Sequence, residues 1–189
     1  MSAQVEAALE LHRFFTDHGI AYALIGGFAV QFWGEPRFTQ DLDITILVPS
    51  DEEETVLGKI LDHFAPRRPD AMAFALKHRI CLVSASSGCP IDISLGIPGF
   101  EEEVMRRAVV RAVRPKNNIR ICSAEDLILH KAVAGRPVDE GDIEGILLRQ
   151  GGKLNLRYIR RWLKAFSQVP ELEGVDKLFE KLRRKSRKI

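Results

Sequence analysis

Near the start of the chain Val5, Ala8, Leu9, His12 and Phe15 recur at helical spacing, and Gly19 follows where a left-handed residue would end a helix. An apolar run, Tyr22-Ala23-Leu24-Ile25, then stops at Gly26-Gly27. A second, Ile44-Thr45-Ile46-Leu47-Val48, begins just beyond an acidic pair. Both have the length of buried strands. Ser50-Asp51-Glu52-Glu53 reads as a capping box opening a helix to about Phe64, with acids where the helix dipole favours them. Arg79-Ile80-Cys81-Leu82-Val83 and Pro90-Ile91-Asp92-Ile93-Ser94-Leu95 are strand-like, and Ser86-Ser87-Gly88 between them predicts a hairpin.

Beyond Asn117-Asn118 the pattern turns from β to α. Ile119-Arg120-Ile121 reads as a short strand, and Ser123 as an N-cap with Asp126 three residues on, opening a helix over 124–134. Another helix is expected over 140–148. A third, capped by Asn155, carries the apolar stripe Leu156, Ile159, Trp162 and Leu163, which suits packing better than base stacking. The succession predicts an α/β (α+β) fold, with a mixed β-sheet flanked by helices over 1–115 and a helical C-terminal lobe with a basic tail over 116–189.

Composition narrows this picture. A chain of 189 residues, 46% hydrophobic, can bury one sizeable core or a larger lobe plus a small helical one. No run of about eighteen apolar residues occurs, so no membrane span is expected. The first residues lack the basic region and apolar block of a secretion signal, and a cytoplasmic location is the expectation. Cys81, Cys89 and Cys122 have neither disulfide-framework nor zinc spacing and read as buried thiols. The formal charge of +2 hides an asymmetry: 177–189 carries seven basic residues against Glu180, so it is +6 and the remainder is −4. Such a segment either attracts polyanions or is a solvated end.

The stretch with most chemical content joins Gly26-Gly27 to Asp41-Leu42-Asp43 across thirteen residues. Side chains alternate along a strand, so Asp41 and Asp43 share a face while Leu42 points the other way. Two carboxylates so close repel unless a cation neutralises them, and hard oxygen ligands favour Mg²⁺, which also binds phosphate oxygens. Glycines without Cβ permit a sharp turn and close approach of backbone to phosphate, and Phe28 to Trp33 would present a helix N-terminus there. Together they suit a metal-bound nucleoside triphosphate. Asp92, between Ile91 and Ile93, is a polar position on an otherwise apolar strand. By spacing alone it fits an exposed sheet face equally well.

These residues resemble the polymerase-β-like nucleotidyltransferases, whose signature is an apolar residue, Gly, Gly or Ser, nine to thirteen residues, then Asp-x-Asp or Asp-x-Glu. The run from Gly34 through Arg37 and Thr39 to Asp43 is similar to the Arg-x-Thr-x-Asp-hydrophobic-Asp segment of AbiEii-type nucleotidyltransferases, many of them toxins of toxin–antitoxin pairs. Ser123 to Lys131, then Arg136-Pro137-Val138-Asp139-Glu140-Gly141-Asp142-Ile143, resembles that group's second region, and the likeness spans roughly residues 20–148. One departure is Gly27, where many relatives carry Ser, so backbone N–H groups would replace a hydroxyl contact to phosphate.

The resemblance implies a nucleotidyltransferase fold in which Asp92 supplies a third carboxylate. Two Mg²⁺ ions would be held by Asp41, Asp43 and Asp92, and an acceptor hydroxyl would attack a nucleoside triphosphate. It assigns Gly26, Gly27, Arg37, Thr39, Lys131, Arg136 and Asp142 to the nucleotide. Read from the residues alone, Lys131 suits a snorkelling surface lysine, and Arg136 suits either phosphate or a brace to Asp139 or Asp142. The implied acceptor is the 3′ end of transfer RNA, with an antitoxin protein as partner. The alternatives are a protein-modifying (AMPylating) enzyme and a silent nucleotide- or partner-binding module, against which the full carboxylate set argues.

Overall fold

The computed structural model describes residues 2–186. By packing, the chain divides into two compact units, one holding Met1–Phe28 and Phe38–Cys122, the other Ala29–Arg37 and Ser123–Ile189.

In the first unit, helix α1 (Ala3–Asp17) starts on Ser2, whose hydroxyl accepts from the Val5 N–H, and Gly19 follows its end with φ +65°. Strand β1 (Ala21–Leu24) leads into α2 (Gly26–Trp33), which begins in the first unit and ends in the second. β2 (Leu42–Leu47) and α3 (Glu53–His63) come next. Helix α3 has Glu52 as its N-cap residue without a side-chain capping bond, so the capping box expected from Ser50 does not form; the Glu52 N–H is satisfied by the Pro49 carbonyl in a preceding turn. Then follow β3 (Ala65–Pro66), α4 (Ala71–His78), β4 (Ile80–Ser84), β5 (Pro90–Leu95), α5 (Phe100–Arg107), β6 (Val109–Arg114) and β7 (Asn117–Ile121).

Among the described residues the strands form one seven-stranded mixed sheet in the order β3-β4-β5-β2-β1-β7-β6. The hairpin β4–β5 is antiparallel as its turn residues suggest, and β2 lies between β5, parallel to it, and β1, antiparallel. Ile44, Ile46, Ile91, Ile93 and Val83 are fully buried, as expected of strands covered by helices. Phe14 meets Phe15 and Phe64 edge to face, at 5.2 and 5.1 Å between ring centroids, and seals α1 against the end of α3. Cys81, Cys89 and Cys122 are buried free thiols.

The second unit is built from α6 (Ala124–Ala134), α7 (Pro137–Gln150), α8 (Leu156–Phe166) and α9 (Val175–Ser186). Ser123 caps α6 through the Asp126 N–H, Pro137 opens α7 at a position where its missing N–H is harmless, and Asn155 caps α8 through the Tyr158 N–H. Leu127, Ile143, Ile146, Ile159, Leu163, Phe179 and Leu182 form the core. α9 is therefore a packed helix over most of the segment read as a basic tail; Arg187 and Lys188 lie outside the described residues. No helix among the described residues is long and apolar enough to cross a membrane.

Candidate active site

The register between β2 and β5 is what assembles the acidic group. These parallel neighbours put Asp43 opposite Asp92, with Leu42 opposite Ile91 and Ile44 opposite Ile93. Asp41 stands just before β2, two residues from Asp43. One carboxylate oxygen from each of Asp41, Asp43 and Asp92 lies within 4.8 Å of the others, and all three residues are half-buried.

The glycine turn closes over this group. The Ile25 N–H donates to the Asp43 carbonyl at 2.9 Å, tying the end of β1 to β2. Gly26 then takes φ +62°, and a Cβ there would stand 1.8 Å from the Asp43 Oδ2 atom. Both facts demand glycine: the left-handed backbone disfavours a side chain, and the carboxylate occupies its place. Thr39 donates its hydroxyl to Asp41 Oδ1 at 2.9 Å, and the Gln4 amide holds the Thr39 carbonyl at 2.8 Å. Asp41 is thus oriented by a side chain that is itself anchored.

Three hard oxygen donors around one point, beside a cradle that only glycine leaves open, fit a divalent cation such as Mg²⁺. Asp92 has a partner that sequence reasoning missed. Arg67, just past β3, forms an ion pair with Asp92 Oδ1 and also donates to the Ile91 carbonyl at 3.2 Å. Nothing local in the sequence signals this contact, because twenty-five residues separate the partners.

The other residues assigned to the nucleotide by resemblance come together in the second unit. Arg37 grips Asp142 with two bonds, Nε to Oδ1 at 2.7 Å and Nη2 to Oδ2 at 2.9 Å. The Lys131 ammonium stands 2.8 Å from both Asp139 and Asp142, and Arg136 donates to Asp139 from Nε at 2.7 Å. Lys131 is only 2% exposed, so it is no surface lysine. Arg136 takes the bracing role toward Asp139 at the start of α7, and its side chain remains 64% exposed. Burial pushes the carboxyls of Asp139 and Asp142 up, but the arginine bonds and Lys131 outweigh it and hold both below the ordinary range. Asp139 is the member of this network not singled out as a site residue; its signal was the Asp-x-x-Asp spacing on one helix face.

No protein-family profile matches the chain, and no curated protein does. Solved structures to which it is similar include the crystal structure of an antigenic nucleotidyltransferase-like protein from Paracoccidioides brasiliensis, at 16% identity and TM-score 0.49, covering 93% of this chain and 92% of that one. Another is the solution structure of the antibiotic-resistance factor ANT(2'')-Ia, at 16% identity and TM-score 0.46, covering 99% and 94%. Likenesses this distant carry no chemistry. The functional reading stands on the residues of this chain.

Proposed function

We propose that this protein is a Mg²⁺-dependent nucleotidyltransferase that moves a nucleoside monophosphate from a nucleoside triphosphate to an acceptor hydroxyl. The carrying observation is the convergence of Asp41, Asp43 and Asp92 within 4.8 Å beside a glycine turn with no room for a side chain. When bound, two Mg²⁺ ions would neutralise the triphosphate and the charge that develops on it. Asp41, Asp43 and Asp92 would hold them, with Thr39 fixing the Asp41 carboxylate, while the backbone at Gly26-Gly27 would accept the phosphates closely. Asp92, engaged by Arg67 through Oδ1, would take the acceptor hydroxyl's proton on its other oxygen. The acceptor oxygen bonds to the α-phosphorus as the bond to the bridging oxygen breaks, and pyrophosphate leaves with that electron pair.

Of the residues assigned to the nucleotide by resemblance, Arg37, Lys131 and Asp142 are engaged with one another, and Arg136 keeps the exposed guanidinium that suits an anion. The finer reading is a toxin-type enzyme of the AbiEii kind whose acceptor is the 3′ end of transfer RNA and whose partner is an antitoxin. Its support is the sequence resemblance and the basic face of α9.

The test is transfer of label from each of four α-labelled triphosphates to total RNA and to total protein, with Mg²⁺. Asp43→Asn keeps shape and removes charge, so transfer should fall by at least about a hundredfold with no loss of melting temperature. Undiminished transfer by that variant would sink the mechanism. Label on protein and none on RNA would replace the RNA acceptor by a protein hydroxyl.

A further inference from the structure

Arg67 is held at three points. Its N–H donates to the Leu82 carbonyl at 3.0 Å, its Nη2 to the Ile91 carbonyl at 3.2 Å, and the same nitrogen meets Asp92 Oδ1. The neighbouring arginine behaves differently. Arg68 pairs with Asp70 two residues on and lies over the Phe74 ring, an exposed local arrangement of the kind that adds little. The Arg67 and Asp92 side chains are only about a third exposed, at 32% and 29%. Backbone anchoring on β4 and β5 removes most of the entropy that an exposed pair would lose on forming.

We propose that Arg67 is a positioning residue of the carboxylate site: its guanidinium fixes Asp92 and sets how strongly Asp41, Asp43 and Asp92 attract a divalent cation. This rests on reading those three aspartates as metal ligands. The three carry a charge of −3 between them, and Arg67 reduces the group to −2, the charge that one divalent ion neutralises. Guanidinium and cation draw on the same carboxylate, so Arg67 weakens cation binding while holding Asp92 in one orientation. A single grip serves both effects.

The experiment titrates the full chain with Mn²⁺ alone, without nucleotide, following free Mn²⁺ by electron paramagnetic resonance. Arg67→Met should bind Mn²⁺ more tightly, on the order of tenfold, since one charge roughly 6 Å from a dication is worth about that factor even at the dielectric of water. Arg67→Lys keeps the charge and should stay near the wild-type affinity. In transfer assays Arg67→Met should lower kcat with little change in KM for the triphosphate, because a loosened Asp92 acts on the acceptor side. Should Arg67→Met fail to fold, Arg67→Gln, which retains a donor for the Ile91 carbonyl, makes the same measurement. Unchanged or weaker Mn²⁺ affinity in a folded, charge-removed variant overturns the proposal. A wild type that binds no Mn²⁺, or binds it equally well with Asp41 and Asp43 both changed to Asn, overturns the metal reading itself and this proposal with it.

Discussion

At the scale of single residues, the carboxylate site depends on what is missing from Gly26 as much as on what Asp41, Asp43 and Asp92 supply. The left-handed backbone at φ +62° disfavours an L side chain by about 1–2 kcal/mol, and the methyl of an alanine would land 1.8 Å from the Asp43 carboxylate. Gly26→Ala should therefore displace Asp43 or distort the turn. Transfer should fall by roughly a hundredfold, as for loss of the carboxylate itself, with a melting temperature lower by several degrees. Wild-type transfer in this variant would mean that the turn and the carboxylate do not work together. The Asp-x-Asp pair and the glycine turn were legible in the sequence because their meaning is local. Arg67 was not, since only folding brings residue 67 to residue 92.

At the scale of elements, α6 carries an internal conflict. Ala124, Asp126, Leu127, Ile128, Leu129, Lys131 and Ala132 are all buried, so the helix is enclosed on more than one side. An amphipathic stripe was not its sequence signature; the Ser123 cap was. His130 Nε2 is closed off from solvent although part of the residue stays exposed. Burial, with Lys131 adjacent, lowers its pKa from 6.5 to about 4, so the folded protein keeps the ring neutral where the unfolded chain protonates it. The resulting stability is present above about pH 6.5 and is lost as pH falls through about 4. His130→Gln should flatten the decline over that window, by about 3 kcal/mol, in urea denaturation at stepped pH. An unchanged slope would show that His130 titrates normally. Three of the unforeseen elements, α4, α5 and β6, are short, of eight, eight and six residues. Short segments state their period too few times to be read, and β6 gains its place only by pairing with β7.

At the scale of the whole molecule, the charge asymmetry has acquired a shape. Lys177, Lys181 and Arg184 are exposed along α9 and line one shallow groove, while Val175, Phe179 and Leu182 hold the helix to its core. Removing this helix would strip the core of the second unit, so charge substitution is the cleaner probe of an RNA acceptor. Changing Lys177, Lys181 and Arg184 together to Gln should weaken RNA binding and reduce the slope of log affinity against log salt by roughly 2–3, as three phosphate contacts would require. Triphosphate binding should hold. A slope equal to wild type would take this face out of RNA recognition.

By itself the sequence determined the elements whose signals repeat or are capped locally: α1, the hairpin β4–β5, the caps of α6 and α8, and two carboxylates on one side of β2. It also carried the mixed α/β character, because alternating apolar runs and capped helical stretches leave few other ways to bury a core. Only the tertiary structure decided that Asp92 stands in register with Asp43, since strand pairing is a choice among partners that no single strand encodes. The same holds for Lys131, which by spacing suits a snorkelling surface lysine until α6 and α7 close on each other and leave two aspartates that a buried cation must satisfy. Residues 29–37 likewise join a unit far along the chain. Local patterns specify what a segment can be; the burial of charge and the pairing of strands, which are interactions at long range, specify what it meets.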